Sequence, residues 1–508
     1  MNEERYYDEI PYRSKIFKES LPENSYIAGL LYGVNGVLPD KARVLEIGCG
    51  VGANIISFGL NHPKSKLVGV DLSSKQISMA NELKKRLGTK NIEFIKKDIL
   101  EIDKKFGEFD YIIAHGVYSW VSDDVKRAIF KIFKECLSEN GIAYLSYNTY
   151  PGWKGKEILR DIMLYRNGEV SSNNKIELGF DTLRHLKNNA LDGVIKKVID
   201  DNYDDLIKRN PSYIMHEYFE SINSPNYFHE VASCAKDSGL NFLCEADWQS
   251  SIFPPVNENL NNALKAESKG DRVRFEQFID FIVNKTFRRT LFTKAKPKDE
   301  VNIEFSNLDK FFVSGNFIYD NTNRVYKNAQ TNTIMPKGMG KLFDKLSEIY
   351  PSNLSVGEFI SELKTSKSDE EIREFYTNLA YLLCSKKVDF SIYKKELLND
   401  IPKKPKLGKN SIELVKFIKE YDGIVSFFSP LYDNIQLNSD CDYELLPLMD
   451  GTRDIEELAS ELVNLEKSGK FNFIIEDMVV EDESKIESMA KAYVKDKVDL
   501  LFKFGFLV

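Results

Sequence analysis

An α/β fold built on a doubly wound parallel sheet is what this sequence predicts, and three observations carry the prediction. The first is Val44-Leu45-Glu46-Ile47, a short apolar run feeding Gly48-Cys49-Gly50-Val51-Gly52, a loop with glycine at alternate positions. The second is Val68-Gly69-Val70-Asp71, another apolar run closed by a carboxylate. The third is the recurrence of strand-like runs, Asn91 to Ile99 and Phe109 to His115, with helical patterns between them. Alternating strands and helices imply a parallel sheet whose ligand lies outside the carboxyl ends of the strands. Glycine in the first loop lets backbone approach that ligand, since it lacks the colliding Cβ and tolerates positive φ. Further along, Ser122 to Asn140 reads as a helix opened by Ser122-Asp123-Asp124 and stopped at Asn140-Gly141. Ile142 to Tyr147 follows as another strand.

Strand, glycine turn, helix and strand ending in an acid form a nucleotide-binding layout, shared by dinucleotide dehydrogenases and methyltransferases. A dehydrogenase fingerprint runs Gly-x-Gly-x-x-Gly and sets a pyrophosphate on the helix N-terminus. This chain departs from it: Gly48, Gly50 and Gly52 are followed by Ala53-Asn54-Ile55, and Glu46 precedes the turn, where it would repel a pyrophosphate. Glu46-x-Gly48-x-Gly50-x-Gly52 resembles the first motif of class I S-adenosylmethionine-dependent methyltransferases, whose acidic lead residue organises the loop around a cationic amino-acid ligand. Asp71 then stands where a carboxylate accepts both ribose hydroxyls. The resemblance implies that Asp98 meets the adenine amino group and that the end of the fourth strand, at His115, lies beneath the methyl donor. Cys49, Leu72 and Ile99 complete the cofactor set expected here; Cys49 also reads simply as a small residue filling a tight turn. The implied cofactor is S-adenosyl-L-methionine, leaving as S-adenosyl-L-homocysteine.

Composition bounds the remaining classes. At 508 residues the chain has length for about three domains. Its 42% hydrophobic and 12% aromatic content is ample for packed cores. A net charge of −8 provides no general attraction for nucleic acid, so no nucleic-acid partner is expected. Met1-Asn2-Glu3-Glu4-Arg5 lacks a signal-peptide pattern and no apolar run is long enough to span a bilayer, so a cytoplasmic location without membrane insertion is expected. Cys49, Cys136, Cys234, Cys244, Cys384 and Cys441 form no Cys-x-x-Cys pair and read as reduced thiols. The five histidines are too dispersed for ligand spacing, and no metal is expected.

Four units are expected along the chain. Residues 1–155 form the donor-binding domain, and 156–300 a helical, regulatory region that serves as a dimerisation surface or substrate wall. Within it, Lys156 to Met215 looks helical and amphipathic, and Arg272 to Phe292 reads as a charged helix with an aromatic face. Residues 301–402 form an α+β unit, and 403–508, after the linker Pro402-Lys403-Lys404-Pro405-Lys406, a last one in which a similar order recurs. Both are read as winged-helix-like, and the acidic balance makes them protein-interaction modules before DNA readers.

Motifs outside the generic cofactor set narrow the family. Tyr7-Asp8-Glu9-Ile10-Pro11-Tyr12, His115-Gly116-Val117-Tyr118-Ser119-Trp120-Val121, Tyr147-Asn148-Thr149-Tyr150-Pro151-Gly152-Trp153, His216-Glu217-Tyr218, Phe287-Arg288-Arg289-Thr290-Leu291 and Leu448-Met449-Asp450-Gly451-Thr452-Arg453 occur in that order. Together they resemble bacterial methyltransferases with a methyltransferase regulatory domain, among them the protein-lysine methyltransferases that modify outer-membrane proteins of intracellular bacteria. The resemblance implies a cytoplasmic homodimer with a protein substrate and a lysine side chain as acceptor.

An amine acceptor fits the physical reading. Lysine's ordinary pKa of about 10.4 leaves no lone pair at neutral pH, and a partly dry pocket lowers it. Tyr118 is the first choice for orienting the neutral amine, Trp120 for lining the channel and Tyr218 for the outer wall; the alternative makes the aromatics core or subunit contacts. His115 reads either as a base or as a hydrogen-bonded structural residue, and Asn148 as a ligand contact or the pin of the Pro151-Gly152 turn. Tyr6, Tyr7 and Tyr12 read as a lid over the donor or as packing on the sheet. Small-molecule methylation and a donor-binding sensor without turnover are the two competing functions.

Overall fold

The computed structural model describes residues 13–167, 174–298, 305–437, 440–475 and 478–508; Tyr6, Tyr7 and Tyr12 lie outside them. Seven strands form the central sheet: β1 (Arg43–Ile47), β2 (Lys66–Asp71), β3 (Ile92–Lys96), β4 (Phe109–Ala114), β5 (Leu137–Asn148), β6 (Asn241–Glu245) and β7 (Phe287–Thr293), in the order β3-β2-β1-β4-β5-β7-β6. The first five are parallel, and β7 runs antiparallel between β5 and β6.

Side chains of β1 alternate between two buried faces, as a strand covered on both sides requires. Val44 joins one apolar cluster, with the helices Pro22–Leu31 and Ala53–Asn61; Leu45 and Ile47 join the other, with the helix Asp123–Cys136. Glu46 therefore points to the same face as Val44, toward those first two helices. Register then aligns the strand ends. Ile47 pairs with Val70 on one side and Ala114 on the other, and Asp71 pairs with Lys96. The next residues of each strand, Gly48, Asp71 and His115, consequently emerge side by side at the point where the strand order reverses.

The sheet does not close at residue 155, and this corrects the expected boundary. Its last two strands come from beyond that residue, after four helices (Trp153–Asn167, Lys175–Asn189, Val194–Leu206 and Pro211–Tyr218) that enclose a small core of their own around Leu159, Met163, Leu183 and Ile214. The helix expected over Arg272 to Phe292 is also shorter. It spans Arg272–Val283 and stops where Asn284 takes a left-handed conformation; Phe287 to Thr293 is β7. Several of the charges in this stretch are buried. Arg288, 1% exposed, meets Glu245 on β6 and Glu276 and Asp280 on the helix at 2.8–3.0 Å. The helix expected from Ser122 to Asn140 likewise ends at Cys136, where β5 begins.

Past β7, Phe312–Ser314 pairs with Leu354–Ser355 and Asp389–Ser391 in a three-stranded sheet beside three helices (Gly340–Ile349, Val356–Leu363 and Asp369–Cys384). The last unit holds the helices Lys409–Glu420, Ile455–Lys467 and Glu483–Lys503 and a hairpin, Phe427–Phe428 with Asn434–Ile435. The proline-lysine stretch read as a linker is tied down at its end: Lys406 pairs with Asp450 and Leu407 with Leu507. Among the described residues no helix is long and apolar enough to cross a membrane.

Candidate active site

The glycine loop turns as its sequence requires. Gly48, Gly50 and Gly52 have φ of 68°, 56° and 79°, in the left-handed region where a side chain is strained. A Cβ on Gly48 would stand 2.5 Å from Val117, and one on Gly52 2.5 Å from the Phe94 ring. Cys49 is buried against the strand below, its sulfur 2.9 Å from where a Cβ on Gly69 would stand. Burial pushes its thiol well above the usual range, which suits a small turn filler rather than a nucleophile.

Glu46 is the electrostatic centre of the loop. It is 4% exposed; Oε1 accepts a 2.8 Å hydrogen bond from the Asn54 amide, and Oε2 is buried with no partner. Burial pushes this carboxyl up to about 7, the nearby Asp71 charge acting in the same direction and the Asn54 amide and Ile55 N–H against it. A buried carboxylate oxygen without a donor is costly unless a cation meets it. Asp71 accepts from Gly50 N–H and from Ser73 N–H, each at 2.9 Å, which fixes the plane of its carboxylate beside the loop. Asp98 accepts from Leu100 N–H at 2.9 Å, while Leu72 and Ile99 are half-buried beside the two acids. A cationic amino group at Glu46, vicinal hydroxyls at Asp71 and an amino edge at Asp98 fit the donor set that S-adenosylmethionine needs.

His115 emerges from β4 beside this loop. Its ring stacks on Phe17 with centroids 3.6 Å apart, and Nδ1 lies 2.9 Å from the Tyr144 hydroxyl. Burial, with the Arg289 charge, lowers its pKa to about 3. The imidazole is therefore neutral and a weak base, so the structural reading of His115 prevails over the catalytic one. Gly116 N–H donates to Ser146 Oγ and steers the chain into Tyr118–Trp120.

On the acceptor side the three expected aromatics separate. Tyr118 is 3% exposed, packed edge-on against Phe130 and Tyr147 in the core, with burial raising its hydroxyl pKa. This packing favours the core role that the sequence left open for its ring. Tyr218 is buried too, in the four-helix core near Trp153. Trp120 is half-buried and meets Trp153 edge-on at 6.5 Å. Asn148 is buried, its backbone N–H donating to Ser119 Oγ and its amide to Asn223. Glu217, the residue before Tyr218, has a buried oxygen without a partner, and burial raises its carboxyl pKa against the opposing Lys156 charge.

Two residues sequence reasoning missed are Phe17, which stacks on His115, and Asn54, which orients Glu46. Asn54 offered a signal: it is the polar member of the otherwise apolar first turn Ala53-Asn54-Ile55-Ile56. Phe17 offered none.

Sheet order, left-handed glycine loop and acids near the end of β1, at the end of β2 and just after β3 define a class I S-adenosylmethionine-dependent methyltransferase. Comparison with known proteins agrees. Residues 38–202 match the family described as a methyltransferase domain, 210–294 a predicted methyltransferase regulatory domain, and 420–503 the C-terminal winged helix domain of PKMT. The uncharacterized protein RP028 of Rickettsia prowazekii (strain Madrid E) is 34% identical over 246 residues, 47% of this chain and 96% of that protein. RP789 of the same organism is 37% identical over 320 residues, 61% of this chain and 57% of that protein, so the match spans little more than half of RP789. The structure of PKMT2 from Rickettsia typhi in complex with AdoHcy superposes with a TM-score of 0.81 at 25% identity, covering 98% of this chain and all of that one. The chain belongs to one family with RP028, and it joins a methyltransferase domain, a regulatory domain and a PKMT-type winged helix in a single polypeptide.

Proposed function

We propose that this chain is a protein-lysine N-methyltransferase acting in the bacterial cytoplasm on an outer-membrane or surface protein, as a homodimer. The observation that carries the donor half is the buried, partner-less oxygen of Glu46 at the strand-order reversal. The acceptor half is supported by the end-to-end likeness to PKMT2, C-terminal unit included.

S-adenosylmethionine, when bound, supplies a methyl group on a positively charged sulfur. The chain's own residues do the rest. Glu46, ionised, would hold the amino group, and Asp71 would hold the ribose. His115, neutral and fixed by Phe17 and Tyr144, presents an uncharged face beside the site and adds no like charge to repel the sulfonium. Trp120, half-buried and backed by the buried Trp153, offers an apolar wall that would strip water from an incoming ammonium and so favour its neutral form. Transfer then needs little more than alignment of the amine with the methyl carbon. The released proton goes to solvent, since His115 is too weak a base to keep it.

The test is labelled methyl transfer to fractionated proteins of the native cell, beside an Asp71→Ala control, followed by mass mapping. Methyl-lysine that is absent with the control is the expected result. Label in small metabolites alone would overturn the protein-lysine assignment, and donor binding with no labelled product would point to a sensor.

A further inference from the structure

The donor loop is braced from the far end of the chain. Residues 14–18 run as a strap between that loop and the C-terminal winged-helix unit. On one side Ser14 N–H donates to Ile424 O at 2.7 Å and Ser426 N–H to Ser14 O at 2.9 Å, so the strap adds a short parallel pairing just ahead of the hairpin. Asn434, on the second strand of that hairpin, closes a two-way amide pair with Ile16: it accepts from Ile16 N–H at 2.9 Å and donates to Ile16 O at 2.8 Å. Lys18 meets Asp433 at 2.6 Å.

On its other side the same strap grips the donor loop. Ser14 Oγ accepts from Ala53 N–H at 3.1 Å, and Phe17 N–H donates to Asn54 Oδ1 at 3.0 Å. Asn54 Nδ2 in turn donates to Glu46 Oε1 at 2.8 Å and to Ser20 Oγ at 3.0 Å, and the Phe17 ring lies on His115. Asn54 has an oxygen engaged by the strap and a nitrogen engaged by Glu46, so turning its amide to suit one partner would disturb the other. We propose that Asn434, together with the strap residues Ser14 and Phe17, is a positioning residue for the methyl-donor site: the hairpin fixes the strap, the strap fixes Asn54, and Asn54 aims Glu46. The pairing bridges 418 residues of sequence, and it gives the winged-helix hairpin an intramolecular task at its exposed edge. The proposal rests on the donor-binding reading of Glu46 and is independent of the acceptor's identity.

Calorimetric binding of S-adenosylhomocysteine to the full chain, with no acceptor present, tests it. Asn434→Ala removes both amide bonds and is expected to weaken binding about tenfold. Asn434→Asp keeps the acceptor for Ile16 N–H and recovers part of the loss. Ser14→Ala, which removes one of the two hydrogen bonds between strap and loop while leaving the strap's backbone pairing, is expected to weaken binding several-fold. Combined with Asn434→Ala it should add less than its own effect, because both act through one path. Tyr432→Phe cuts a neighbouring contact of the same hairpin, to Glu23 at 2.8 Å, and should leave binding unchanged. Unchanged affinity in Asn434→Ala, fully additive effects in the double variant, or an equal loss in Tyr432→Phe would each overturn the proposal. Wild-type chain that binds no donor would overturn it together with the donor-binding reading, whereas failure to methylate lysine would leave it standing.

Discussion

At the scale of single residues, Glu46 sets the most direct pH dependence. Its carboxyl, raised to about 7 by burial, binds a proton in the donor-free fold at pH values where a solvated glutamate is ionised. Binding of a cationic amino group needs the ionised form, and an α-amino group stays protonated below about pH 7.7. Donor affinity should therefore fall as pH drops from 7 to 5.5, and Glu46→Gln should bind weakly with that dependence flattened, as calorimetry across the range would show. Tyr118 supplies a second prediction. Because its ring fills the core, Tyr118→Phe should retain methyl transfer, while Tyr118→Ala should lose about 3–5 kcal/mol in denaturant unfolding. A large loss of turnover in Tyr118→Phe with unchanged stability would restore the amine-orienting role.

At the scale of elements, the buried Arg288 cluster clamps the last helix of the regulatory region to the sheet edge. Arg288 comes from β7, Glu245 from β6, and Glu276 and Asp280 from the helix Arg272–Val283. Replacing the guanidinium leaves three carboxylates facing one another in a dry site, so Arg288→Met should cost about 3–5 kcal/mol. The sign with pH follows from Asp280, whose pKa burial raises to about 6 even beside Arg288. A raised carboxyl favours the fold while protonated and opposes it once ionised, so this group's contribution worsens as pH climbs from about 4 to 6. Thermal unfolding should consequently show the Arg288→Met deficit larger at pH 8 than at pH 5.5.

What was legible in the sequence divides at the same scale. Glu46, the glycines, Asp71 and Asp98 lie at the ends of short local units, where apolar runs and turn residues specify the strand and its exit within a few positions. β6 and β7 join the sheet only after the helical insertion, and β7 carries two arginines whose partners lie on other elements. Nothing local distinguishes a buried ion cluster from a solvated charged face. Tyr118 was hard to read for the converse reason: a motif places it near the site, but the facing Phe130 and Tyr147, which bury it, are set by tertiary packing.

At the scale of the whole molecule, the C-terminal unit lies against the methyltransferase domain through polar contacts as well as apolar ones. Tyr432 donates to Glu23, which also meets His62 at 2.7 Å, and the Asn61 amide donates to Pro430 O. Glu23 is half-buried and desolvation raises its pKa, yet the His62 bond, the Lys395 and His62 charges and the Tyr432 hydroxyl outweigh that and lower it. A lowered carboxylate stabilises the fold above its unfolded pKa and loses that contribution as pH falls through the folded value. Tyr432→Phe should thus lower the melting temperature by a few degrees at pH 7, with the deficit shrinking in acid, as calorimetric scans would show.

The parallel pairing of Ser14 with Val425 also dictates an order of events during synthesis. Translation delivers the glycine loop early, but the partner strand for residues 14–16 leaves the ribosome only after more than four hundred residues have been made. A nascent chain arrested near the proline-lysine stretch thus has the loop and its three acids without their brace. The donor pocket thus receives its brace last although its motifs are made first.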